Sequence, residues 1–120
     1  MDDLSSSGDR DVDRFVDANI SSFAAWDVAV YLDNNADVNA DVTDLAARLG
    51  RKEYEIEPVL HDLVDHGVAV VSSEPDGVVR YTLSSDHGVR EVVSRFVELA
   101  REREVRLEFV RRVLARLSRG

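Results

Sequence analysis

Cysteine is absent from the 120 residues, so disulfides, thiolate zinc sites and cysteine nucleophiles are excluded at once. Long apolar runs are missing too. Nothing approaches the ~20 residues of a bilayer span, and Met1 to Gly8 is polar instead of carrying the apolar core of a secretory signal. The expectation is a soluble, cytoplasmic protein without a membrane partner. Chemistry-bearing patterns are equally scarce. There is no glycine-rich phosphate loop, no nucleophile with a recognisable base, and no carboxylate pair in apolar surroundings that would raise a pKa. Neither an enzyme nor a cofactor is expected. Lysine is nearly absent as well, with Lys52 standing alone beside fourteen arginines.

What remains is a globular mixture, 44% hydrophobic and 32% charged, long enough for one domain with a modest core. Its net charge of −9 is unevenly placed. Residues 1 to 47 hold eleven Asp, no Glu and only Arg10 and Arg14, whereas residues 48 to 120 hold thirteen acids and thirteen bases. An acidic chain is ordinarily repelled by nucleic acid. Its Asp and Val richness with few lysines is also the composition of proteins from salt-loving microbes, although a high-GC genome produces the same lysine scarcity. In molar salt such repulsion is screened within ~3 Å.

The apolar spacing predicts mostly helix. Met1 to Gly8 reads as a flexible tail, and Val12, Phe15, Val16 and Ile20 then mark a helix from Asp9. Ser21 or Ser22 caps a second one through Phe23, Trp26 and Val30 to about Asp33. After the polar loop Asn34 to Asp41, Thr43 caps a helix on Leu45, Ala46 and Leu49, which Gly50 ends. Ile56, Leu60 and Leu63 define the next, ended by Gly67. Val68 to Val71 and Val78 to Leu83 form two strands around Pro75-Asp76-Gly77. The fold class is therefore α+β, mostly α with a small β-hairpin.

From Asp86 to Arg119, Val89, Val93, Phe96, Ala100, Leu107, Val110, Leu114 and Leu117 recur on steps of four and three, with Arg103 the polar interruption. One rod of this length would reach ~50 Å, more than a small domain can cover, which points to pairing of two copies through these residues. The alternative is a break near Arg101 to Glu104 and a fold back on the same chain. Trp26, Tyr31, Phe96 and Phe109 belong to core or interface. The domain boundaries read as 1–8 tail, 9–85 domain and 86–120 dimerisation helix.

The run Val42 to Gly50, then Ile56, Leu60, Leu63, Gly67-Val68 and the turn at Asp76-Gly77 resembles a winged helix-turn-helix over residues 23 to 84. The leading helix and the arginine-rich end are similar to small bacterial and archaeal transcriptional regulators with a long C-terminal dimerisation helix. The resemblance implies a homodimer whose second motif helix enters the major groove of double-stranded DNA while the hairpin touches the neighbouring backbone. Carried onto this sequence, the contacts are Arg51, Lys52, Tyr54, Glu55 and His61 on the helix and Arg80 on the wing. Three glutamates near the front of that helix, Glu53, Glu55 and Glu57, and Glu74 with Asp76 at the hairpin tip oppose phosphate contact. Pro58 would shorten or kink the helix if it begins near Lys52. The second reading is thus a winged protein-interaction module that docks partner proteins through an acidic helix and wing. Arg111, Arg112, Arg116 and Arg119 either touch flanking phosphates or attract the acidic front half of a neighbouring subunit. His61, Asp62, Asp65 and His66 have the four-residue spacing of helical metal ligands, but solvated helix charge explains it equally, and no metal is expected.

Overall fold

The computed structural model describes the backbone of residues 3–119 and the side chains of 10–118. Six helices and one hairpin follow in the order α1 (Asp3–Asn19), α2 (Phe23–Asn34), α3 (Val42–Leu49), α4 (Glu53–Asp65), β1 (Ala69–Ser73), β2 (Val79–Leu83), α5 (His87–Leu99) and α6 (Arg103–Arg119). The first helix begins at Asp3, so most of the stretch expected as a tail continues α1; Met1 and Asp2 lie outside the described residues.

Local chemistry sets the boundaries. The Ser22 hydroxyl accepts the Ala25 N–H at 3.1 Å and starts α2. The cap of α3 is Asp41, which accepts the Asp44 N–H at 2.7 Å, and Thr43 lies inside the helix, where its hydroxyl donates to Glu53 at 3.1 Å. A carboxylate is the stronger acceptor for a helix's first amide groups. Gly50 ends α3 in the left-handed conformation (φ 66°) that a side chain would disfavour.

The hairpin is antiparallel with Ala69 opposite Leu83, Val71 opposite Tyr81 and Ser73 opposite Val79. A bridge from Ala40 to Tyr81, bonded both ways at 2.9 and 2.8 Å, ties the α2–α3 loop to its inner side. Arg90 of α5 adds a second tie by donating to the carbonyls of Ser84 and Ala36 and to Asp37. These links fix the wing relative to the helices.

Aromatic rings hold the helices together. Phe96 of α5 is fully buried and lies 5.5 Å from Phe15, 5.6 Å from Trp26 and 5.4 Å from Phe109, centroid to centroid, so one ring joins α1, α2 and α6. Leu45, Ile56, Leu60 and Leu63 complete the core beneath α3 and α4.

The single C-terminal rod is not formed. Helix α5 ends at Leu99, and after Ala100, Arg101 and Glu102 the chain starts α6. The corner contains neither glycine nor proline. It is tightened by Arg101 N–H to Glu98 (3.1 Å) and Glu102 N–H to Leu99 (3.0 Å), and the Arg106 guanidinium satisfies the carbonyls of Ala100 and Arg101 at 3.2 Å each. Folding back lets Phe109 and Val113 enter the chain's own core. Arg112 meets Asp13 at 3.1 Å, and Arg116 donates to the carbonyls of Val16, Asp17 and Ile20 at the end of α1. The acidic front and the arginine-rich end attract each other within one chain.

Candidate nucleic-acid interface

Helix α4 has two flanks. Ile56, Leu60 and Leu63 are fully buried on one, and Tyr54, Glu57, His61 and Asp65 are exposed on the other, so burial of the first set orients the second outward. Tyr54 is 76% exposed, the most exposed of the large apolar residues among those described, which leaves its ring without a packing role. Proline at position 58 has no N–H, so the carbonyl of Tyr54 has no helical partner; the helix nevertheless begins at Glu53 and runs on to Asp65.

The structure assigns several of the expected contact residues to other work. Arg51 donates through Nε to Asp27 of α2 at 2.8 Å and through Nη1 to Glu55 at 2.9 Å, with a side chain only 26% exposed. That pairing, Asp27 first, raises its pKa further and binds the guanidinium to the protein instead of leaving it for phosphate. Glu55 accepts the Lys52 backbone N–H at 3.2 Å, in the manner of a helix-capping carboxylate. That backbone bond and the Arg51 guanidinium hold its carboxyl below the ordinary glutamate value. Arg80 bonds both oxygens of Asp76 at 3.4 and 3.1 Å and lowers that carboxyl, helped by the Val78 N–H. Arg48 is likewise paired with Asp44 at 2.8 Å.

Residues 41 to 80 carry nine carboxylates and four bases, a net −5. Among the described residues, Lys52 is the one base of this stretch with no ion-pair partner. His61 is exposed, 4.0 Å from Glu57. Tyr54 and His61 therefore stand exposed on the outer flank with Lys52 at the cap before it, whereas the charges of Arg51, Glu55 and Arg80 are paired within the chain. Sequence reasoning missed Asp27 as the partner of Arg51; twenty-four positions separate them and no local pattern links them.

The remaining histidine of the helical run turns elsewhere. His66 Nδ1 donates to Asn19 Oδ1 at 2.9 Å, and Asn19 in turn donates to the Phe15 carbonyl, so His66 ties the end of α4 to α1. Among the described residues no three His, Asp or Glu side chains converge as a metal site would require.

The residues expected to pair two copies separate into two groups. Val93, Phe96 and Ala100 are buried in the chain's own core, which removes them from any outer seam, and Val89 is half-buried. Leu107, Leu114 and Leu117, 44 to 51% exposed, lie with half-buried Val110 on a face of α6 turned roughly a quarter-turn from Phe109 and Val113.

A helix-turn-helix with its second helix projecting beside a two-stranded hairpin defines this chain as a winged helix-turn-helix fold. No protein-family model matches the sequence, and no curated protein matches it. Among solved structures, MepR, a transcription regulator of the Staphylococcus aureus multidrug efflux pump MepA, superposes with a TM-score of 0.60 at 16% identity over 97% of this chain and 89% of that one. A single-residue mutant of the Lactococcus lactis protein ZitR gives 0.47 at 19% identity over 69% of this chain. The chain spans 55% of the length of ZitR. No helix among the described residues is long and apolar enough to cross a membrane.

Proposed function

We propose that this chain is a transcription regulator that binds double-stranded DNA as a homodimer, with α4 entering the major groove and the hairpin beside the phosphate backbone. The observation that carries the reading is the outer flank of α4, where Tyr54 and His61 project from a helix anchored by its opposite side, with exposed Lys52 at the cap just before its first residue. Of the neighbours in fold, MepR is a transcription regulator by its description. Concentrated salt is the setting that suits this surface. At 1 M ionic strength the net −5 of the motif is felt only within ~3 Å, so short-range contacts by Lys52, Tyr54 and His61 decide binding.

The second copy joins through α6, where Leu107, Val110, Leu114 and Leu117 form an uncovered stripe. Because α6 is tied to α1 by Arg112 and Arg116, the two α4 helices stand at a fixed separation, and that separation sets the half-site spacing.

The test is fluorescence anisotropy of a labelled random duplex titrated with the full chain from 0.1 to 3 M KCl. Binding that appears or persists above 1 M and is lost in Lys52→Ala/Tyr54→Ala supports the reading. Absence of binding at every salt concentration overturns it.

A further inference from the structure

We propose that the groove between the outer flank of α4 and the inner face of the hairpin docks an amphipathic helix of a partner protein, one with an apolar stripe and two Lys or Arg residues ~12 Å apart. The groove measures about 500 Å3. Its floor is apolar: Val64 of α4 and Val71, Val79 and Tyr81 of the hairpin. On the hairpin's inner face, Ala69, Tyr81 and Leu83 reach the core, whereas Val71 and Val79, nearer the tip, remain 45% and 42% exposed. Two β-branched side chains on the inner face of a sheet are thus left without cover.

The rim decides what covers them. Glu57, His61 and Asp65 follow one another at four-residue steps along α4, and no arginine or lysine lines the groove among the described residues. Two carboxylates eight residues apart on a helix are separated by ~12 Å, the rise between residues i and i+8 of a helix laid alongside. At low ionic strength a phosphate backbone is repelled by the same pair. The floor presents side chains of a sheet face and not an open row of backbone N–H and C=O groups, so the occupant is a helix lying in a groove and not an added strand. Tyr81 supplies a hydroxyl at the floor, and burial together with Glu57 keeps it protonated as a donor.

The groove shares His61 with the surface assigned to DNA, but the Lys52–Tyr54 turn lies outside it, so peptide docking can be tested apart from DNA recognition. The probe is a fluorescein-labelled 16-residue Leu/Lys peptide with lysines eight positions apart on one helical face. Its controls are a scrambled peptide of identical composition and a version with Glu for Lys. Binding to the full chain is followed by anisotropy, and the contacted residues are mapped by amide NMR. The ordered peptide is expected to bind at least tenfold more tightly than either control, to lose at least tenfold in Glu57→Lys/Asp65→Lys, and to lose at least fivefold in Val79→Ser. Shifts are expected at Val64, Val71, Val79 and Tyr81. Equal binding of the scrambled peptide, unchanged affinity in the variants, or shifts centred on Leu99 and Phe109 would overturn the proposal. So would a change of oligomeric state in Val79→Ser, which would assign the groove to a second copy. The Lys52→Ala/Tyr54→Ala variant separates the two readings: it loses duplex DNA and keeps the peptide if both hold, and a chain that never binds DNA leaves the peptide result standing.

Discussion

Arginine meets aspartate in two parts of this molecule with opposite consequences. At the α1–α6 seam, Arg112 and Arg116 reach across about a hundred residues of sequence to Asp13, Asp17 and the end of α1, and their half-buried guanidinium groups attach the last helix to the first. On the α4 and wing face, Arg48, Arg51 and Arg80 find carboxylates mostly within four residues, and the pairing removes positive charge from the surface where phosphate contact would need it. The same chemistry attaches the last helix in one place and neutralises a face in the other. Net charge alone conceals this difference, because −9 describes neither region.

The comparison can be broken most forcefully at the aromatic junction. Phe96→Ala is expected to destabilise the chain by about 3–5 kcal/mol, the usual cost of truncating a buried aromatic, and Tyr54→Ala by under ~0.5 kcal/mol as a surface change. Urea unfolding of the two variants measures the contrast. At the seam, Arg112→Ala/Arg116→Ala is expected to cost about 1–2 kcal/mol, since half-buried charge-assisted bonds exceed the worth of exposed pairs. Denaturation at low and high KCl would show that cost shrinking with salt.

On the wing side the functional effects outweigh the stability ones. Asp27→Ala/Glu55→Gln is expected to release Arg51 from both its carboxylate partners, raising affinity for duplex DNA several-fold in anisotropy at a single salt concentration. An unchanged affinity would mean that Arg51 does not reach the ligand even when freed. The smallest effect concerns acid. Glu55 is held below its ordinary value by the Lys52 amide and Arg51, so its contribution is present above the unfolded value and is lost as the pH falls through the lower folded one. Thermal melts from pH 6 to pH 3 are expected to bring wild type and Glu55→Gln together at the acid end.

Much of the fold was legible because local rules determined it. Gly50 and Gly67 both take positive φ where their helices end, and Pro75-Asp76-Gly77 turns the hairpin with Gly77 at φ 83°. The core flank of α4 followed from the spacing of Ile56, Leu60 and Leu63. The C-terminal corner was legible only as the alternative to a single rod, because the apolar period runs through Ala100 without a breaker; Arg103, the polar interruption, was the visible trace of it. The candidate site was less legible. Arg51, Lys52, Glu55 and Arg80 look alike as charged residues near a motif, and what separates them is whether a carboxylate or an amide stands within hydrogen-bonding reach. Asp27 comes from another helix, and no spacing rule reaches that far.

The corner at Ala100 to Glu102 is made by side chains and not by the backbone's own breakers. Burial of Phe109 and Val113 and the hold of Arg106 on two carbonyls are what bend the chain, so removing them leaves residues 86 to 119 free to straighten into a rod of ~50 Å. A straightened arm would carry its uncovered rings to a neighbour's first helix and exchange intramolecular closure for a swapped pair.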